Sequence, residues 1–183
     1  MTADRLILVR SAATAATRRA AFPSDEALDA GGVRAAERLA EALGRVDTAR
    51  SSPARRARMT AVAAGLAATV DADLAGADPQ EWAGLTLEEG AARDPDRLQR
   101  WLDDPDPDGE LWARVSRFLG QAHGWPGTTV AVTHGGWVRM AVLQALDAPP
   151  ASFWRVDVAP ASLTVLHRRD RGWVLARVNW TPA

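Results

Sequence analysis

A run of four apolar residues, Leu6 to Val9, constrains the fold more than any other stretch of the chain. A short apolar run that ends in a turn predicts a strand buried on both faces of a sheet, and such strands are typical of α/β proteins. Arg10 follows the run directly, at the strand's carboxyl end, where open α/β sheets keep their ligand sites. A guanidinium in that position needs an anionic partner, either a carboxylate of the protein or a ligand phosphate.

The rest of the chain alternates predicted helices and strands and then closes with two strands joined by a short turn. This hairpin, at 162–179, predicts an antiparallel edge on an otherwise parallel sheet. We expect a serine of Ser51-Ser52-Pro53 to cap the helix that follows, with the proline in its first turn. Residues 17–23 are expected to form a loop. The other predicted strands lie at 46–51, 69–73 and 128–133, and the other predicted helices at about 29–43, 94–102, 110–123 and 135–146.

The composition is that of an ordinary globular protein. Of the 183 residues, 47% are hydrophobic and 25% are charged, and the net charge is −1, which argues against a general nucleic-acid or anionic-membrane surface. The chain has no cysteine, so disulfides, thiolate chemistry and cysteine metal sites are excluded. No signal-peptide pattern precedes the first strand, and no apolar run is long enough to span a bilayer. We therefore expect a cytoplasmic protein with no nucleic-acid or membrane partner.

Three motifs stand at the ends of predicted strands. They are Leu8-Val9-Arg10-Ser11-Ala12-Ala13-Thr14, Ser51-Ser52-Pro53-Ala54-Arg55-Arg56-Ala57-Arg58-Met59-Thr60-Ala61 and Val132-Thr133-His134-Gly135-Gly136-Trp137-Val138-Arg139. Together they resemble the motifs of the histidine phosphatase (phosphoglycerate mutase-like) superfamily. The resemblance covers nearly the whole chain and implies an α/β fold, a three-layer α/β/α sandwich with a mostly parallel mixed sheet. It also implies a single domain over residues 1–183 with a helical cap-like insertion at about 86–125.

The resemblance assigns roles to residues of these motifs and of the loop after the first. The residues at the family's phosphate-binding positions are Arg10, Arg56 and His134. The residues that lie where the family's opening loop approaches the ligand, and that form a possible substrate loop, are Thr14, Thr17 and Arg18. The partner implied by this set is a phosphorylated or otherwise anionic small molecule, and no cofactor is implied.

Two positions depart from the family's pattern. Ser11 stands where the family has the histidine that takes up the phosphoryl group. Counting back from the matching Trp82 and Gly84 places the family's acid/base glutamate at Gly76, which has no ionisable side chain. A serine hydroxyl needs an adjacent base or a metal to attack at a useful rate, whereas an imidazole is nucleophilic at neutral pH.

Three hypotheses about function follow. The first is a divergent family member that binds an anionic small molecule, with the phosphohistidine chemistry lost or replaced. The second is an active phosphomonoesterase in which Ser11 or a water attacks beside His134, with Asp78 or Glu81 as the acid. The third is a pseudoenzyme that acts through a protein partner. No metal site is expected, because the aspartates at 103–108 lack the spacing of a calcium-binding loop.

Overall fold

Six strands form one mixed sheet in the computed structural model, which describes residues 4–182. The strands are β1 (Arg5–Arg10), β2 (Thr48–Ser51), β3 (Thr69–Val70), β4 (Thr128–Thr133), β5 (Leu163–Arg169) and β6 (Gly172–Trp180). Their order across the sheet is β3-β2-β4-β1-β5-β6. The first four in this order run parallel, while β5 is antiparallel to β1 and β6 is antiparallel to β5. The predicted mostly parallel sheet with an antiparallel edge is therefore confirmed.

Eight α-helices and three short 3-10 helices connect the strands in the described part of the chain. The α-helices are α1 (Ala15–Arg18), α2 (Ala30–Glu37), α3 (Leu39–Leu43), α4 (Arg55–Ala63), α5 (Leu87–Arg93), α6 (Pro95–Asp103), α7 (Glu110–Ala122) and α8 (Gly135–Ala145). The 3-10 helices span Ala72–Leu74, Gln80–Trp82 and Pro150–Arg155. None of the helices within residues 4–182 has the length and apolar character needed to cross a bilayer.

β1 is buried on both faces, as its apolar run predicts. Leu6 and Leu8 point to the side of the sheet where α7 and α8 pack. Ile7 and Val9 point to the opposite side, where α2, α3 and α4 pack. One strand can supply both cores because successive side chains of a strand point to opposite faces. Helices thus cover both faces of the sheet, which confirms the three-layer α/β/α sandwich.

Several predicted boundaries change in the structure. β3 ends at Val70 rather than at residue 73, because the side chain of Asp71 accepts the backbone N–H of Asp73 at 3.0 Å and opens a 3-10 helix. The helix predicted at 29–43 is interrupted at Arg38 and forms α2 and α3. The predicted loop after the first motif begins with the one-turn helix α1, which Thr14 caps.

The serine cap predicted for α4 is wrong, and so is the proline predicted in its first turn, because Pro53 lies before the helix. The N-cap residue is Ala54, and the backbone N–H of Arg55 donates instead to a carboxylate oxygen of Asp25 at 2.6 Å. Ser52 lies further back, where its hydroxyl contacts His134. A side chain from a distant part of the chain satisfies a free helix N–H as a local cap does, so the sequence around α4 does not indicate its cap.

The segment predicted as a cap-like insertion, 86–125, differs in packing along its length. Its helices α6 and α7 match the helices predicted at 94–102 and 110–123, and α5 is additional. α7 is a core helix, since Phe118 is fully buried beside α8. α6 has no buried residue and contacts the loop after α1 through Trp101. The cap-like role therefore remains a prediction, and α5 and α6 are the helices to which it applies.

Replacing Phe118 with alanine should lower the free energy of unfolding by about 3–5 kcal/mol. The buried ring meets the Trp125 and Trp137 rings edge to face, with centroids 5.5 and 5.3 Å away, so its loss leaves a cavity. Denaturant unfolding measures the difference. The control is Val62→Ala, because Val62 is 75% exposed and should change the value by less than about 0.5 kcal/mol. Equal stability losses in the two variants would contradict the placement of α7 in the core.

Candidate functional site

The carboxyl ends of the four parallel strands meet at one edge of the sheet, and each is followed there by residues of the candidate site. These residues are Arg10 and Ser11 at the end of β1, Ser52 and Arg56 after β2, Gly76 after β3, and His134 after β4. Parallel pairing sets Arg10 opposite Thr133, so the residues that follow them leave the sheet side by side. The topology therefore brings the three sequence motifs together.

The Arg10 guanidinium is mostly buried and is oriented by backbone. Its Nη1 donates to the carbonyl of Val158, in the segment that leads into β5. Nearby, Arg139 of α8 donates from Nε to the carbonyl of Val156 at 2.8 Å. Burial and the charge of Arg139 lower the pKa of Arg10, and the carboxylate of Asp157 opposes this shift. An arginine stays protonated despite such shifts, so the site contains a buried cation.

Arg56 supplies a second buried guanidinium from the first turn of α4. Its Nη2 lies 3.0 Å from Nδ1 of His134. Its backbone carbonyl accepts the Thr60 hydroxyl at 2.7 Å, and the Thr60 hydroxyl oxygen accepts the backbone N–H of Ala12 at 2.9 Å. These two bonds tie the start of α4 to the loop after β1, which holds the two arginines at one edge of the sheet.

His134 is held through both of its ring nitrogens. Nδ1 faces Nη2 of Arg56 at 3.0 Å, and Nε2 faces Oγ of Ser52 at 2.7 Å. A guanidinium only donates hydrogen bonds, so Nδ1 must be the acceptor and carries no proton. The proton of the neutral ring is then on Nε2, which donates to the Ser52 hydroxyl oxygen. The contacts therefore specify one tautomer, in which the Nδ1 lone pair is directed at Arg56.

The His134 imidazole is neutral at physiological pH. Burial, together with the smaller effect of the positive charges of Arg56 and Arg10, lowers its pKa from the ordinary 6.5 to about 3. A protonated Nδ1 would place a donor against the Arg56 donor, so the neutral ring also fits the hydrogen bonding. The positive charge of the site thus comes from the two arginines.

The loop between α1 and α2 places two carboxylates near Arg56. Glu26 accepts the Thr14 hydroxyl at 2.7 Å, and Asp25 accepts the backbone N–H of Arg55. Burial lowers the pKa of Arg56, while the charges of Glu26 and Asp25 raise it. Within residues 4–182 neither carboxylate forms an ion pair with Arg56, so they offset its charge only from a distance.

The possible substrate-loop residues lie in and beside α1. Thr14 is fully buried and forms a capping box with Thr17. Arg18 forms an ion pair with Asp29, the N-cap residue of α2, and the Arg18 side chain is 58% exposed. The three side chains thus have partners within the protein, and their contact with a ligand stays a prediction.

The two carboxylates considered as substitute acids make other contacts. Asp78 accepts the backbone N–H of Gln80 at 2.8 Å, and Glu81 pairs with Arg97 of α6. In the part of the chain that the structure describes, no three His, Asp or Glu side chains are grouped so that they could hold a metal ion.

A match to a protein-family model shows to which family the chain belongs. The model of the histidine phosphatase superfamily (branch 1) matches residues 6–181, nearly the full length. The chain belongs to the histidine phosphatase superfamily. Its sheet and its three motifs are therefore those of a known phosphatase fold, and the resemblance seen in the sequence is confirmed.

Similar proteins include bacterial phosphatases and a larger mycobacterial protein. A bifunctional protein of Mycobacterium tuberculosis is 38% identical over 128 residues, which cover 63% of this chain and 35% of that protein. The match thus spans about a third of that relative's length. Phosphoserine phosphatase 1 of Hydrogenobacter thermophilus is 28% identical over 173 residues, covering 86% of this chain and 82% of its own. The solved structure of a mycobacterial glucosyl-3-phosphoglycerate phosphatase in complex with VO3 is 26% identical, covers 98% of this chain and 99% of its own, and gives a TM-score of 0.79.

Ser11 takes the position at which the histidine phosphatase resemblance places the nucleophile. The residue is 6% exposed, and its hydroxyl makes no hydrogen bond with residues 4–182. All three histidines of the chain are described, and two lie elsewhere. His123 contacts the backbone at the end of β5, and His167 lies within β5. His134 is therefore the imidazole that this site contains.

Gly76 lets the His134 ring lie close to the loop after β3. A Cβ atom at position 76 would lie 3.0 Å from both Cγ and Cδ2 of His134, closer than ordinary van der Waals contact. The Gly76 carbonyl accepts Nη2 of Arg114 at 3.2 Å, so α7 helps to hold this loop. The position of the family's acid thus carries a backbone hydrogen bond and leaves room for the ring.

Sequence reasoning missed several residues that build the site. They are Asp25, Glu26, Ser52, Thr60, Arg139 and Val158. Ser52 and Thr60 belong to the second motif, and Arg139 ends the third, so their place in the motifs is a usable signal. Val158 contributes only its backbone carbonyl, which every residue type has, so the sequence gives no signal for this contact.

The free energy of unfolding should fall as the pH drops below about 6.5, in part because of His134. The folded pKa of about 3 lies below the ordinary 6.5, so the unfolded chain binds the proton more readily within this window. Below the ordinary pKa, the contribution of His134 to the free energy of unfolding should fall by up to about 1.4 kcal/mol per pH unit. Above the ordinary pKa this contribution should not change with pH. Denaturant unfolding between about pH 6 and about pH 4 should therefore show a shallower decline for His134→Gln than for wild type.

His123→Gln is the matched control, because it removes a histidine that lies outside the site. Equal slopes for wild type and His134→Gln would contradict a neutral, buried His134 ring.

Gly76→Ala should displace the His134 ring and lower the free energy of unfolding by about 1–3 kcal/mol, the usual cost of overpacking. The added Cβ has no room beside the ring. Denaturant unfolding measures the cost, and the ring-nitrogen NMR signals of His134 report the displacement. Gly120→Ala is the control, since a Cβ there meets no atom within 4 Å and α7 should gain about 0.5–1 kcal/mol. Unchanged His134 signals in Gly76→Ala would show that the ring does not depend on the glycine.

Proposed function

We propose that this protein binds a phosphorylated or otherwise anionic small molecule between Arg10, Arg56 and His134, with the phosphohistidine chemistry of its family lost or replaced. One observation carries the proposal. Two mostly buried guanidiniums lie at the strand ends, and neither is in ion-pair contact with a carboxylate of residues 4–182. A ligand phosphate would supply the missing anion through charge-assisted hydrogen bonds.

The contacts of His134 argue against activation of Ser11. A serine nucleophile needs a base that can take the hydroxyl proton. The Nδ1 lone pair of His134 faces Arg56, and Nε2 donates to Ser52. Gly76 supplies no proton for a leaving oxygen. The arrangement thus supports binding of an anion better than transfer of a phosphoryl group through Ser11.

The similar proteins support a phosphate as the anion. Two of them are named as phosphatases of phosphoserine and of glucosyl-3-phosphoglycerate, which are both phosphate esters. In our proposal the ligand of this chain carries a phosphate group, while the rest of the ligand differs with the loops around the site.

Inorganic phosphate should raise the Tm of the wild-type protein, because a ligand that binds only the folded state stabilises it. Arg10→Ala and Arg56→Ala should each weaken phosphate binding by roughly 10- to 100-fold, the effect of losing a charged hydrogen bond of about 1.5–3 kcal/mol. Isothermal titration calorimetry measures the affinities. The matched control is Arg58→Ala, which removes one exposed positive charge from the same helix and should bind phosphate as wild type does.

Activity assays separate the remaining hypotheses. Wild type and Ser11→Ala should both be inert toward a generic aryl phosphate and a panel of phosphorylated metabolites. Turnover by wild type that disappears in Ser11→Ala would overturn the proposal and identify a serine-dependent phosphomonoesterase. No response of wild type to phosphate, with a stable protein complex that is insensitive to Arg10→Ala, would instead identify a pseudoenzyme with a protein partner.

A further inference from the structure

One peptide group connects Arg10 to the last strand of the sheet. The peptide that joins Val158 and Ala159 is bonded on both sides. Its carbonyl accepts Nη1 of Arg10, and its N–H donates to Oδ1 of Asn179 at 2.6 Å. Val158 is 1% exposed, so the carbonyl that orients Arg10 is shielded from water.

We infer that Asn179 of β6 is a positioning residue for the Arg10 guanidinium. An acceptor on the N–H of a peptide polarises its carbonyl, so the carbonyl becomes a stronger acceptor for the group on its other side. The same bond fixes the plane of the peptide and hence the direction of the Val158 oxygen. Asn179 thus acts on the site through backbone, without a place in any of the three motifs.

The backbone of β6 is shaped to present this side chain. Leu163 pairs with Trp180 and Val165 pairs with Arg177, so β6 has one more residue than β5 between these pairs. Such a bulge redirects a side chain, and bulges are common beside active sites. Asn179 lies within it at φ 51°, a left-handed conformation that asparagine adopts more readily than most residues.

Side chains also hold the two residues that precede this peptide. Arg139 of α8 donates to the carbonyl of Val156, and Asn179 donates from its amide nitrogen to Asp157 at 3.2 Å. Side chains from β1, α8 and β6 therefore form hydrogen bonds with the four consecutive residues 156–159. Because these bonds fix the Arg10 guanidinium before any ligand arrives, less entropy is lost on binding.

Two variants separate the hydrogen bond from the backbone conformation. Asn179→Gly keeps a residue that tolerates the left-handed backbone and removes the acceptor. Asn179→Asp keeps an Oδ1 acceptor for the Ala159 N–H and replaces the amide donor to Asp157 with a second carboxylate oxygen. The control is Ala176→Gly, which loosens the same strand at an exposed position three residues before Asn179.

The first readout is the affinity for inorganic phosphate, and it rests on the proposed anion site. Asn179→Gly should weaken phosphate binding about five-fold, the effect of one neutral hydrogen bond, while Ala176→Gly should bind as wild type does. Wild-type affinity in Asn179→Gly would overturn the inference.

The second readout is the guanidinium NMR signal of Arg10 in the ligand-free protein, assigned by its loss in Arg10→Lys. It should shift in Asn179→Gly, return toward the wild-type position in Asn179→Asp, and stay unchanged in Ala176→Gly. An unchanged Arg10 signal in Asn179→Gly, even with a lowered Tm, would assign Asn179 a merely structural role. This readout decides the inference even if wild type fails to bind phosphate, a result that would count against the proposed function alone.

Discussion

Two like-charged guanidiniums in one mostly buried site are the constraint on which the rest of this site depends. Burial disfavours each charge, and an uncompensated buried charge costs several kcal/mol. The protein offsets this cost with carbonyl dipoles on Arg10 and Arg139, with the more distant carboxylates of the loop after α1, and with a histidine that stays neutral. These groups come from the segment before β5, from the loop between α1 and α2 and from the end of β4, so the site forms only when these distant parts of the chain are assembled.

The sheet and the central site residues could be predicted because they are encoded locally. The Leu6 to Val9 run specifies a doubly buried strand by its composition alone. Arg10, Arg56 and His134 stand in motifs whose turns follow strands, and the carboxyl ends of parallel strands share an edge.

The parts that could not be predicted depend on distant contacts. The cap of α4 comes from Asp25, which is thirty residues away in the chain. The carbonyl that orients Arg10 belongs to Val158, which lies 148 residues further along the chain. The tautomer of His134 follows from which atoms face its two nitrogens, and no sequence pattern specifies that geometry.

The two positions at which the sequence resemblance predicts a departure from the family's pattern, 11 and 76, both lie near His134. The absence of a side chain at position 76 leaves space that the His134 ring occupies. The two ring nitrogens form their hydrogen bonds with Ser52 and Arg56 and not with Ser11. In our proposal the site therefore retains the groups that bind a phosphate and lacks the groups that transfer it. A side chain added at position 76 alone would collide with the His134 ring.

A crystal structure with orthovanadate distinguishes an anion-binding site from a working phosphoryl-transfer site, because vanadate binds as phosphate does but readily accepts a fifth ligand. We expect a tetrahedral vanadate between Arg10 and Arg56, with hydrogen bonds to the guanidiniums and no bond from vanadium to a protein atom. A trigonal-bipyramidal vanadate bonded to Oγ of Ser11 or to a ring nitrogen of His134 would contradict this expectation, since that geometry would reveal a working nucleophile.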